Sequence, residues 1–274
     1  MKEKWKKLII NLDDVGINDG SVIAAKELLG SDLIKGASVI VPGAEAEEFL
    51  RWTSGRPELD IGLHSAVTCE WKRHRWRAAG RLEDAKSFTA EDGCMVFGGE
   101  EDLLKIDCQE YEQETLAQIK KMVAAGSFPG HLDNHMWTVR ASEAMLETYI
   151  RLADGYDLIP HIPAWMLFSE GRKELAEKSR WPVIRGQWFV TGPEKEKYET
   201  KKQKLKELLL HLPEGLHVLT IHASADTETA REMIPELSDR VEEYQLLMDE
   251  EIQEIIRNMG SVITSFRQIR EEGW

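Results

Sequence analysis

Two aspartates, Asp13 and Asp14, stand side by side behind the apolar run Leu8-Ile9-Ile10. Adjacent carboxylates withdrawn from water repel each other and raise the pKa of at least one, unless a cation sits with them. A divalent metal would supply that cation, although one of the two could instead cap the following helix. Histidines complete the suspicion: His64 after Ile61-Gly62-Leu63, the cluster His131-Leu132-Asp133-Asn134-His135, and His222 after Val218-Leu219-Thr220-Ile221. Imidazole and carboxylate together suit zinc, cobalt or nickel better than magnesium. His131 and His135 have helical metal-pair spacing, but Pro129-Gly130 before them favours a strand start. On a strand four residues span about 13 Å, so only one of the two would ligate. The other, or Asp133 on the same face, would orient a ligand. His222 would be a third metal histidine or a general acid, and His161 would line the pocket.

These residues need elements that bring them to one rim. Lys7 to Asp13 reads as a buried strand, and Asn18 to Leu29 as a helix capped by Asn18 or Asp19. Ile34 to Val41 and Leu59 to His64 are strand-like around a helical Gly43 to Trp52. Cys108 to Ala125 and Ser142 to Leu152 read as helices on either side of a strand from His131 to His135. Helical Lys195 to His211, strand-like His217 to His222, helical Glu242 to Asn258 and a final Ser261 to Ile269 strand-helix pair close the chain. Strands alternating with helices imply parallel pairing and right-handed crossovers, in a barrel or an open sheet, with the site at the carboxyl ends of the strands. Between His64 and about Glu101 lies a stretch without clear period, longer than a structureless connection usually reaches. From Pro160 to Gly192, prolines, glycines and scattered tryptophans break the rhythm, which predicts an insertion at about 160–192 in one domain.

Composition narrows the class. Hydrophobic residues make up 42% and charged residues 31%. No apolar run approaches the roughly 18 residues of a membrane helix. The basic-apolar start runs into Asp13-Asp14 where a signal peptide needs small residues, so it reads as a first strand. Cys69, Cys94 and Cys108 lack CxxC spacing, which makes the cytoplasm the expected location. A net charge of −14 argues against nucleic acid as partner. A small ligand fits better, and the oligomeric state stays open, a homodimer included.

In this order and spacing, IINLDDVG, GASVIV, DIGLHSAVT, FPGHLDNH and LTIHAS resemble the YdjC family of sugar deacetylases. The resemblance implies an α/β fold, a distorted β/α (TIM-like) barrel, with one divalent metal ion, zinc or magnesium, held by one Asp and two His. By position these are Asp14, His64 and His135. Asp13 would be the general base, as in the wider polysaccharide deacetylases, and His222 matches a family histidine that would serve as acid. The expected reaction is metal-dependent hydrolysis of the acetamide of an N-acetylated sugar or oligosaccharide. This chain departs from the family's HxDSHQHVH pattern, with Trp137 and Val139 at the two later histidine positions, and has Ala223 after His222 where Pro is usual.

Nine tryptophans suit a carbohydrate substrate, because indoles stack on the apolar faces of sugar rings. Trp71, Trp76, Trp137, Trp165 and Trp188 are the candidates. The basic run Lys72-Arg73-His74-Arg75-Trp76-Arg77 would suit a phosphorylated sugar, or form a solvated lid face. A metal-dependent sugar isomerase or phosphohydrolase is a second reading; it wants more carboxylates at strand ends than Glu70 and Asp133 offer. A non-catalytic sugar-binding protein is a third, against which stands the retention of both Asp13 and Asp14.

Overall fold

The computed structural model describes residues 5–71, 73–168, 180–192 and 195–272. Among these residues eight parallel-paired strands form one sheet: β1 Lys6–Val15, β2 Gly36–Val39, β3 Asp60–Ser65, β4 His131–Asn134, β5 Ile159–Pro160, β6 Ile184–Phe189, β7 Gly215–Ile221 and β8 Ile263–Thr264. Their order is β5-β4-β3-β2-β1-β7-β6, with β8 also paired to β1. The sheet curls into a distorted barrel whose ends, β5 and β6, approach through a single parallel bridge, Pro163 to Ile184. β1 is the centre, flanked by β2 and β7 and apolar at Leu8, Ile9, Ile10 and Leu12, all essentially inaccessible.

The first helix, Asp19–Gly30, starts where expected: Asn18 accepts from Ser21 N while the Ser21 hydroxyl accepts from Asn18 N, a reciprocal capping box. Asp107 similarly caps the helix Cys108–Ala124. The stretch after β3 lacks period because it is pinned by side chains: Glu114 accepts from Ala79 N and Gly80 N, and Glu110 from Ser87 N. No helix among the described residues is long and apolar enough to cross a membrane.

Two expectations differ from what is observed. The segment expected as an insertion supplies β5 and β6, and β6 pairs with β7 from Ile184 to Phe189; residues 169–179 lie outside the described residues. The single helix expected from Glu242 to Asn258 is two, Leu237–Met248 and Glu250–Met259. Asp249 divides them, taking extended backbone and accepting from Glu251 N and Ile252 N, so a residue compatible with an apolar period instead caps a new helix.

Candidate metal centre

Neighbouring residues on a strand face opposite ways, yet Asp13 and Asp14 both turn into the site. β1 carries an irregularity between Leu12 and Val15 against β2, and Asp14 adopts φ 58°. Aspartate tolerates this left-handed conformation better than most residues, which cost roughly 1–2 kcal/mol there. One bulged, left-handed step therefore aims two consecutive carboxylates at one rim. A similar device follows β4: Met136 and Trp137 both have positive φ, 54° and 53°, which turns the chain sharply behind His135.

Asp14 Oδ1 lies 3.4 Å from His64 Nε2 and 3.3 Å from His135 Nδ1. The three donor atoms are mutually within 4.8 Å on buried residues. A tetrahedral sphere with bonds of about 2.1 Å has edges of about 3.4 Å, and both oxygen–nitrogen distances match that edge. The donor set fits a divalent cation on chemistry and on geometry.

The remaining contacts hold this arrangement. Asp133 Oδ2 is 2.9 Å from His64 Nδ1, leaving Nε2 to face Asp14, and Asp133 Oδ1 is 3.1 Å from His161 Nδ1. His161 Nε2 is in turn 2.6 Å from Gln187 Oε1, which ties β6 to β4. Burial opposes charge on His64, but Asp133, with Asp13 and Asp14, outweighs it and raises the imidazolium to about 10. Because 10 exceeds the ordinary 6.5, the pair's contribution to metal-free stability is complete below pH 6.5 and is lost as pH climbs through 10. Burial pushes against ionisation of Asp133 too, yet His161 and His64 hold its carboxyl well below the usual range.

Asp13 is different. Burial, reinforced by the charge of Asp133, raises its pKa. Its Oδ1 accepts from Asn11 Nδ2 at 2.5 Å and lies 3.0 Å from the Ser38 hydroxyl. Asp13, His64 and Asp133 form a second group at ligand spacing. The Ser38 hydroxyl already bridges its three members, 3.0 Å from Asp13 Oδ1, 3.1 Å from Asp133 Oδ2 and 3.4 Å from His64 Nδ1.

The other sequence candidates divide. His222 ends β7 with its ring parallel to Phe189 at 6.2 Å, and its backbone N–H donates to the buried Glu243 at 2.6 Å. His131 does not join the cluster. It lies deeper in the barrel, 3.3 Å from Asp60, stacked on Phe266 at 4.2 Å and over Gly62, where an added Cβ would strike its ring. Of the tryptophans, Trp76 packs against His135 at 5.7 Å, and Trp137 joins His161 at 5.6 Å to the exposed Trp165 at 5.5 Å. Trp188 turns away and donates to His217. The basic run does not act as one patch, since Arg75 pairs with Asp92 and Trp76 is buried; Lys72 lies outside the described residues.

Sequence reasoning missed Arg240. Its Nη1 donates to Asp14 Oδ2 at 2.8 Å and its Nη2 to Glu70 Oε2 at 3.0 Å, with the Trp71 ring 5.3 Å away. Burial notwithstanding, Arg240 and then His135 hold the Asp14 carboxyl well below its usual range. No local pattern announces Arg240; it sits 226 positions from its partner.

Fold and site together define a parallel α/β barrel protein with an Asp-His-His cluster at the carboxyl edge of its central strands. The chain belongs to the YdjC-like protein family, whose model matches residues 7–258. It is similar to a carbohydrate deacetylase of Thermus thermophilus, 28% identical over 271 residues and covering 96% of this chain and 94% of that one. A carbohydrate deacetylase of Listeria welshimeri is 25% identical over 266 residues, covering 96% of this chain and all of its own. A solved Enterococcus faecalis V583 structure, named for cellobiose-phosphate cleavage, shares the fold with TM-score 0.79 at 20% identity, covering 97% of this chain and 99% of that one.

Proposed function

We propose that this protein is a carbohydrate deacetylase that hydrolyses the acetamide of an N-acetylated sugar, using one divalent cation held by Asp14, His64 and His135. The observation that carries the reading is the convergence of Asp14 Oδ1, His64 Nε2 and His135 Nδ1, in a chain whose relatives are named carbohydrate deacetylases. A divalent cation bound there, zinc or magnesium, would polarise the acetamide carbonyl and bring a water's pKa toward about 7.

The chain's own residues do the rest. Asp13, anchored through Oδ1, keeps Oδ2 to take the water's proton, and its raised pKa brings it closer to a working base. Asp133 fixes the orientation of His64 from behind, with His161 on its other oxygen. His222, seated against Phe189, protonates the departing amine. Trp137 and Trp165 offer indole surface for the sugar. A two-metal phosphohydrolase is less well supported, because the second ligand group shares His64 with the first and is already bridged by the Ser38 hydroxyl. The test is acetate release from N-acetylated mono- and disaccharides, with and without phosphate, after reconstitution with zinc or magnesium. No release from any of them sinks the reading.

Two outcomes are expected on this reading. His64 is protonated in the metal-free protein, since its pKa is about 10, and must lose the Nε2 proton to bind a cation. Binding at pH 7–8 therefore releases about one proton, and affinity rises about tenfold per pH unit. Calorimetry in two buffers of different protonation enthalpy reads the proton count, and a count of zero contradicts it. Trp165→Ala is expected to raise KM about fivefold with kcat within about twofold, because an exposed indole would lend uniform binding rather than transition-state contacts. Steady-state kinetics on the best substrate checks it.

A further inference from the structure

Arg240 brings a permanent positive charge into a pocket built from carboxylates, and it divides the two oxygens of Asp14. Oδ1 faces two imidazole nitrogens at 3.4 and 3.3 Å, whereas Oδ2 is taken by the guanidinium at 2.8 Å. The guanidinium has little freedom to leave. Its other nitrogen is fixed by Glu70 at 3.0 Å, the Trp71 ring lies 5.3 Å away, and its own backbone carbonyl accepts from Ser224 N within the turn after β7.

We propose that Arg240 is a positioning residue that holds Asp14 as a one-oxygen ligand and keeps metal affinity below what the surrounding carboxylates would otherwise give. This rests on the reading that Asp14, His64 and His135 bind a divalent cation. Two physical effects point the same way. A guanidinium on Oδ2 blocks that oxygen from joining Oδ1 on the ion, and bidentate chelation by Asp14 would otherwise be open to it. The guanidinium also neutralises Asp14 and Glu70 and repels an incoming cation across a short, water-poor distance. Remove it, and the buried Asp14 carboxylate and the partly exposed Glu70 lose their shared counter-charge, a deficit that a divalent cation beside Asp14 would relieve. A residue that merely supported the fold would loosen the metal when removed; Arg240 is expected to tighten it.

The experiment measures zinc affinity of the metal-stripped full chain for the wild type, Arg240→Met and Arg240→Lys, by competition with a chelator of known affinity. Arg240→Met is expected to bind at least about tenfold more tightly than wild type, and to show a larger rise in Tm on adding zinc. Arg240→Lys keeps a charge but not the fork that reaches both carboxylates, and is expected to fall between the two. Binding by Arg240→Met that equals or falls below wild type overturns the inference. Should Arg240→Met not fold without metal, the decision passes to Arg240→Lys, where affinity equal to or below wild type overturns it. Failure of the site itself has a different signature: wild type binds no zinc, or His64→Ala binds it as well as wild type does.

Discussion

His64→Ala is expected to leave the purified protein without its divalent ion and to lower kcat/KM for deacetylation by about a thousandfold or more. The ring is gripped at both ends, Nδ1 by Asp133 at 2.9 Å and Nε2 toward Asp14 at 3.4 Å. No neighbouring donor replaces it, because His131 is committed to Asp60 and His161 to Asp133 and Gln187. Asp133 would keep His161 and Ser38 as partners, so the loss is expected to be one of metal rather than of fold. Elemental analysis of the purified variant, beside its far-ultraviolet circular dichroism, separates the two. Full metal occupancy in a folded His64→Ala protein would remove His64 from the site.

Asp13→Asn and Asp14→Asn are expected to fail in different ways. Asparagine at position 13 can still accept from Asn11 and Ser38 through its Oδ1, so the local scaffold persists while the free oxygen becomes an amide that takes no proton. The expected result is a kcat lower by about a hundredfold or more with metal affinity nearly intact. Asparagine at position 14 tolerates the left-handed backbone but cannot bring a negative charge to the ion. There the loss is metal affinity, with activity falling as a consequence. Metal stoichiometry and single-turnover acetate release on both variants decide the matter. An Asp13→Asn protein that loses its metal while Asp14→Asn keeps it exchanges the two roles.

What could be read from the chain alone followed from local period and from the rule that polar residues at strand ends face the site. Asp14, His64 and Asp133 lie near the carboxyl ends of their strands and His135 directly follows β4, which is where that rule looks for polar residues. Strand rise predicts that His131 and His135 do not share one ion, and His131 sits in the layer beneath, with Asp60 and Phe266. Arg240 and Glu243 were not legible: they lie on the helix Leu237–Met248, and their partners Asp14 and His222 are brought near only by the closed topology. β5 and β6 were hidden for another reason. β5 is two residues long and includes a proline, and β6 alternates poorly because its partly exposed face carries Arg185, Gln187 and Phe189. Period needs several residues of consistent alternation or burial, and β5 is too short to show it while β6 mixes exposed and partly buried positions.

The left-handed turn of Asp14 has an evolutionary consequence. If Asp14 holds the cation as proposed, position 14 passes through two independent filters, one for a carboxylate and one for a backbone that few side chains accept. Glutamate satisfies the first and is penalised by the second; asparagine and glycine satisfy the second and forfeit the charge. Neutral drift therefore has almost no route through this position, and a lineage released from selection for activity would settle on asparagine or glycine while the fold survives. With asparagine there, such a descendant would carry the whole barrel, with His64 and His135 still in place, and be silent by one atom's change.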